Sequence, residues 1–182
     1  MSNILAITGR PNVGKSTLFN RIVERKKAIM DNESGVTRDR HYGFGQWNGK
    51  YFTVIDTGGY VTGSTDIFEE AIRKQVKLAL EEATVILFMV NCQDGVTALD
   101  EDFAAILRDL KKPVIVVVNK VDNPELELAS SEFYSLGMKS ELFNIASTSG
   151  SGTGDLLDEV VKHFETDDLE NPEDGIPRIS IL

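Results

Sequence analysis

The stretch Gly9-Arg10-Pro11-Asn12-Val13-Gly14-Lys15-Ser16-Thr17 decides how this chain is read. It follows a short unbroken apolar run, Ile4 to Ile7, and leads into Leu18, Ile22 and Val23 at helical spacing. A G-x-x-x-x-G-K-[ST] sequence between a strand and a helix is a phosphate cradle. The glycines let successive backbone N–H groups face one anion, and Lys15 is placed to neutralise β- and γ-phosphate oxygens. The Ser16 hydroxyl is placed to ligate Mg²⁺ at the positive end of the helix. Gly9 through Thr17 are therefore the first candidate nucleotide-binding residues.

Two more apolar runs, Val85 to Val90 and Val114 to Val118, are too unbroken for strands with one wet face. They predict strands buried on both sides, as in a parallel sheet covered by helices. Between and before them, Phe68, Ile72, Val76 and Leu80, then Phe103, Ile106, Leu107 and Leu110, recur at helical spacing. Asn48-Gly49 lies between strand-like segments, so Tyr42–Trp47 and Tyr51–Asp56 should pair as an antiparallel hairpin. A strand near Glu141–Ala146 and a last helix bearing Leu156, Leu157, Val160, Val161 and Phe164 complete the pattern. The expected fold is α/β: about six strands, mostly parallel with one antiparallel, and about five helices on both faces.

The chain has 182 residues, a net charge of -10 and one cysteine, with 41% hydrophobic and 26% charged residues. This is globular composition and excludes wholesale disorder or a disulfide scaffold. A lone Cys92 fits a reducing compartment, so a cytoplasmic location is expected, and no apolar run approaches a membrane span. The charge is uneven: residues 1–40 hold eight Lys/Arg against four Asp/Glu, whereas residues 165–175 hold six acids and no base. The basic first forty residues suit phosphate, and the overall acidity argues against direct nucleic-acid binding. Residues 1–164 are expected to form the domain and 165–177 an acidic linker. Residues 178–182, apolar again, read as the start of a truncated second domain.

Two further motifs specify the ligand. Asp56-Thr57-Gly58-Gly59 ends the hairpin's second strand, where the Asp56 carboxylate would reach Mg²⁺ through water and the Gly59 N–H would meet the γ-phosphate. Asn119-Lys120-Val121-Asp122 closes the Val114 strand at the edge where open α/β sheets bind ligands. A carboxylate such as Asp122 accepts from both N1–H and the exocyclic amine of guanine; adenine offers neither donor there.

With these three elements in order, the chain resembles Ras-like P-loop GTPases. Gly9–Thr17, Gly35-Val36-Thr37-Arg38-Asp39-Arg40, Asp56–Gly59 and Gly152-Thr153-Gly154-Asp155-Leu156-Leu157-Asp158 together resemble the first G domain of the Der (EngA) family, among the TrmE-Era-EngA-like GTPases. Members of that family are bacterial ribosome-assembly enzymes with two G domains in tandem and a KH-like domain. The resemblance implies GTP and GDP as ligands, and the second G domain, the KH-like domain and the large ribosomal subunit as partners of the whole protein. This part alone is expected to be monomeric, with no membrane contact. Thr37 becomes the switch threonine, ligating Mg²⁺ with Ser16 and Asp56. Ala146, Ser147 and Thr148 stand where the family's guanine-contacting Ser-Ala loop lies, and Ser34 replaces the usual Pro before Gly35.

Ras-type enzymes place a water-orienting Gln after the D-x-x-G glycine, but here that residue is Tyr60. Water positioning must then come from backbone groups, a partner or a cation. The resemblance points to K⁺ at Asn12, which makes Asn12, Lys15, Thr37 and Gly59 the expected catalytic set. A sensor with negligible hydrolysis is the second reading, and an ATP-using kinase the third. Arg38 or Arg40 as a finger in cis is a further alternative. His41 and His163 lack partners at metal or triad spacing, and Cys92 and Trp47 read as packing residues.

Overall fold

The computed structural model describes residues 3–24, 41–57 and 77–165. Six strands form one sheet: β1 (Ile4–Thr8), β2 (His41–Trp47), β3 (Lys50–Asp56), β4 (Val85–Asn91), β5 (Val114–Asn119) and β6 (Leu142–Asn144). Their order is β2-β3-β1-β4-β5-β6, with β2 antiparallel to β3 and every other pairing parallel. The helices are α1 (Lys15–Glu24), α2 (Ala98–Arg108), α3 (Pro124–Ala129) and α4 (Thr153–Lys162). Residues 77–82 are also helical, and Ser130–Leu136 forms a 3₁₀ helix that ends at Gly137 with φ 65.

Strand parity sorts the core into two layers, because successive side chains leave a strand on opposite faces. Leu5, Ile7, Val85, Leu87, Met89, Ile115 and Val117 face one way and pack with Leu18 and Ile22 of α1 and Leu156, Leu157 and Val160 of α4. Ala6, Ile86, Phe88, Val90, Val116 and Val118 face the other way, onto Leu80, Ala104, Leu107 and Phe133. The continuous apolar runs thus reflect burial on both faces, as expected.

The hairpin turns on Asn48 and Gly49, at φ 45 and 77. Both values suit a type I′ turn, whose twist matches that of the flanking strands. Its tip is tied to α4: Trp47 Nε1 and Asn48 Nδ2 each donate to Asp158 Oδ1 at 2.7 Å. Trp47 also packs on the α1–α4 layer, the packing role expected of it.

Two expectations change in detail. β6 is only Leu142–Asn144, shorter than Glu141–Ala146, because the chain turns back after Ile145 and Ala146 bridges to Ser151. In α2 the inward stripe is Asp100, Ala104 and Leu107, whereas Ile106 is 56% exposed. At 100° per residue Ile106 falls outside that stripe, and Leu110 lies beyond the helix end. Phe68, Ile72 and Val76, and residues 166–182 with most of the expected linker, lie outside the described residues.

Candidate functional site

Five parallel strands bring their carboxyl ends to one edge, and the loops leaving β1, β3, β5 and β6 carry the four stretches singled out in the sequence. β1 pairs with β3 on one side and β4 on the other, so loops on either side of β1 part above it. Open α/β sheets bind ligands in such crevices.

The loop after β1 is held in an uncommon backbone. Gly9, Asn12 and Gly14 have φ of 140, 64 and 100. A Cβ on Gly9 would lie 2.2 Å from Met89 O, and one on Gly14 would lie 2.2 Å from Asn119 Nδ2. Val13 is buried, Pro11 half-buried, and Asn12, Ser16 and Thr17 exposed. Lys15 folds back into the loop, only 6% exposed, with Nζ donating to Gly9 O at 2.8 Å and Arg10 O at 2.6 Å. Burial pushes its pKa down to about 8; Asp56 opposes the shift and Arg10 adds to it. An anion arriving beside Lys15 would favour the charged form again.

Ser16 Oγ donates to Asp56 Oδ2 at 2.8 Å, and Asp56 at the end of β3 is 1% exposed. A hydroxyl and a carboxylate held together are hard oxygen donors, a set that fits Mg²⁺. Asn12 offers one carboxamide oxygen, also a donor type that suits a hard cation. Thr57 is fixed to β1 by Oγ1 donating to Ile7 O at 2.9 Å. Thr37, Gly58, Gly59, Tyr60, Arg38 and Arg40 lie outside the described residues.

Asn119 is the staple of the site. Its Nδ2 donates to Val13 O at 2.7 Å, while its Oδ1 accepts from the Ser147 N–H and Oγ, both at 2.9 Å. One buried amide thus fastens the phosphate loop to the loop after β6. Lys120 has φ 66, and Asp122 is exposed, accepting from Asn123 Nδ2 at 3.2 Å. Ala146 donates its N–H to Ser151 O at 3.0 Å, and Thr148 is exposed. The loop 146–148 is gripped from below by Arg21 of α1, whose Nε donates to Ser147 O at 2.6 Å and Nη2 to Thr148 O.

Arg21 escaped the sequence reading, as did Asp94 and Asp100, which hold the Arg10 guanidinium. The only sequence signal for Asp100 is Thr97-Ala98-Leu99-Asp100, a capping box formed at the start of α2. Among the described basic residues of the first forty, Arg10 faces carboxylates and Arg21 faces carbonyls. Of these three described residues, Lys15 alone is left for phosphate. Cys92 is buried and donates to Leu126 O at 3.2 Å, with burial pushing its thiol pKa up. His163 Nε2 lies 3.4 Å from Glu159. No helix among the described residues is long and apolar enough to cross a membrane.

Residues 4–120 match the family model described as 50S ribosome-binding GTPase. Over 182 residues the chain is 62% identical to GTPase Der of Cytophaga hutchinsonii and 59% identical to GTPase Der of Amoebophilus asiaticus. All of this chain is covered, against 42% and 41% of those proteins, so it spans about two fifths of their length. Among solved structures, Era in complex with MgGDPNP and a stretch of 16S ribosomal RNA matches with a TM-score of 0.77 and 31% identity, covering 95% of this chain and 60% of that one.

Proposed function

This chain belongs to the 50S ribosome-binding GTPase family, and on that premise we propose that residues 1–164 are a GTP-binding, GTP-hydrolysing switch domain of a ribosome-assembly GTPase. The single observation that carries the reading is the convergence at one sheet edge of buried Lys15, the Ser16–Asp56 pair and the Asn119–Asp122 loop. A phosphate cradle, a hard oxygen pair and a carboxylate for a purine edge suit one molecule, a guanine nucleotide.

The residues divide the work. Gly9 to Gly14 present backbone donors to the phosphates, and Lys15 places its charge at the β and γ oxygens, where negative charge moves during phosphoryl transfer. Ser16 and Asp56, joined by Thr37, would hold Mg²⁺, which when bound neutralises charge on the β- and γ-phosphates. Asp122 reads N1–H and the exocyclic amine of guanine. The loop Ala146–Thr148 closes over the base, kept in place by Asn119 and Arg21. Gly59 meets the γ-phosphate. Asn12 would contribute an oxygen to K⁺, supplying charge near the transferred group in a protein with Tyr60 where a water-orienting Gln is usual.

The relatives are longer, so contacts with a second G domain, a KH-like domain and the large ribosomal subunit are proposed for the whole protein, with 165–177 as an acidic tether leading to 178–182. The cytoplasm is the proposed location. Tyr60 favours a second reading, a nucleotide sensor with negligible turnover. Single-turnover GTP hydrolysis with Mg²⁺ in KCl and in NaCl separates the two. We expect K⁺ to raise the rate roughly tenfold or more through added charge stabilisation. Equal rates would remove K⁺ and Asn12, no hydrolysis in either salt would leave the sensor, and no binding would overturn both readings.

A further inference from the structure

Arg10 lies inside the phosphate cradle, yet its guanidinium turns away from Lys15 and across to the loop after β4. Nη2 donates to Asp94 Oδ2 at 2.6 Å and Nε to Asp100 Oδ2 at 3.3 Å. The Arg10 side chain is 12% exposed, Asp94 46% and Asp100 fully buried. Both carboxylates are themselves anchored. Asp94 Oδ2 accepts from Nδ2 of Asn91, the last residue of β4, at 2.6 Å. Asp100 Oδ2 accepts from the Thr97 N–H at 3.1 Å and the Thr97 hydroxyl at 2.8 Å, in the capping box of α2.

The main chain of the same arginine serves the cradle, its carbonyl accepting from Lys15 Nζ at 2.6 Å. Arg10 therefore joins two rigid elements, the end of β4 and the first turn of α2, to the residue that presents charge to phosphate. One guanidinium against two carboxylates leaves the trio net negative. Such a cluster offers no attraction to a triphosphate, so the arrangement is a fastening and not an anion receptor. The guanidinium meets the two carboxylates from two separate nitrogens, Nη2 and Nε, whereas a lysine at this position would have to reach both from a single Nζ.

We propose that Arg10 is a positioning residue that fastens the phosphate loop to Asp94 and Asp100 so that its carbonyl holds Lys15, and that its guanidinium makes no phosphate contact. The proposal rests on the guanine-nucleotide reading of the site.

The test uses the full chain and the variants Arg10→Ala, Arg10→Lys, Asp94→Asn and the double variant Arg10→Ala/Asp94→Asn. Affinities for labelled GDP and GTP are measured beside thermal melts and single-turnover hydrolysis at saturating GTP. Arg10→Ala is expected to weaken both GDP and GTP, by about tenfold, the scale of a hydrogen bond between charged groups. Arg10→Lys should fail to rescue it. Asp94→Asn should also weaken both nucleotides, although it makes the site less negative. The double variant should be no weaker than Arg10→Ala, since the effects of touching partners are not additive. The saturating hydrolysis rate should fall along with affinity, whereas a merely structural defect would lower the melting temperature and leave that rate alone. Wild-type affinity in Arg10→Lys, tighter binding in Asp94→Asn, or an unchanged saturating rate would each overturn the proposal. If the unmodified chain binds neither nucleotide, the reading beneath the proposal fails first. Asp94 is exposed, so its variant separates the fastening from a folding defect in the core.

Discussion

The two edges of the sheet use the same bond for opposite ends. At the amino edge, Lys50 Nζ donates to Val161 O at 2.8 Å and Phe164 O at 2.9 Å, and Lys112 Nζ donates to Leu80 O at 3.1 Å and Ala83 O at 2.7 Å. Those carbonyls are the surplus acceptors at helix ends, and a cation there satisfies them and suits the helix dipole. At the carboxyl edge Lys15 also donates to two carbonyls, but they belong to its own loop and the lysine is buried. Around it Asp56, Asn91, Asp100, Asn119 and Ser147 are buried as well. Burying that many polar groups costs free energy unless they are paired. The amino edge thus uses lysine to finish helix ends, whereas the carboxyl edge gathers buried polar groups held by one another, the edge proposed above as the ligand site.

This contrast can be broken by substitution. The largest effect should come from Asp122→Asn, which keeps one acceptor for N1–H but puts a donor where the carboxylate would accept from the exocyclic amine of guanine. GTP affinity should fall by roughly 10³-fold or more and xanthine nucleotide should be preferred. Because Asp122 is exposed, the melting temperature should stay put; calorimetric titration and a melt read both, and unchanged GTP affinity would remove Asp122 from the base site.

Phe164→Ala probes the other edge. Phe164 is 3% exposed, with its ring centroid 5.1 Å from that of Phe52. Its truncation should cost about 3 kcal/mol in denaturant unfolding. Nucleotide affinity of the folded protein should not change, and a large change would show that the edges are coupled.

Arg21→Ala sharpens the comparison, because Arg21 belongs to a core-packed helix but bonds to the loop 147–148. Removing these charged bonds should weaken guanine nucleotides about tenfold, seen as faster release of labelled GDP. Reduced stability alone, with release unaltered, would move Arg21 to the structural class. The smallest effect is expected of Lys50→Ala, about 1 kcal/mol of stability and no change in nucleotide binding, measured by the same unfolding and release assays.

How far the molecule can be read from its sequence follows from the range of each interaction. Burial of the apolar runs, the Asn48-Gly49 turn and the glycine-bearing loop between β1 and α1 are written in neighbouring residues, and each appears where expected. Val85 to Val90 is a strand buried on both faces for the reason its sequence offers: nothing polar interrupts it. Arg10 with Asp94 and Asp100 could not be found that way. The partners stand 84 and 90 residues away, and acidic side chains in an acidic protein look like solvated surface until the fold brings them together. Asn119 shows the same limit. Its motif points to the base, and its amide instead joins Val13 to Ser147, a role visible only once three loops share an edge. Ile106 misleads because spacing gives a face without saying which flank of it meets the sheet.

The central claim is that the carboxyl edge is a guanine-nucleotide site. It is tested most directly by displacing labelled GDP from the chain with unlabelled GTP or ATP, in MgCl₂ and KCl. GTP should compete at concentrations roughly 10³-fold or more below those ATP requires, since adenine leaves Asp122 without its two donors. Displacement by ATP at concentrations comparable to GTP would contradict it.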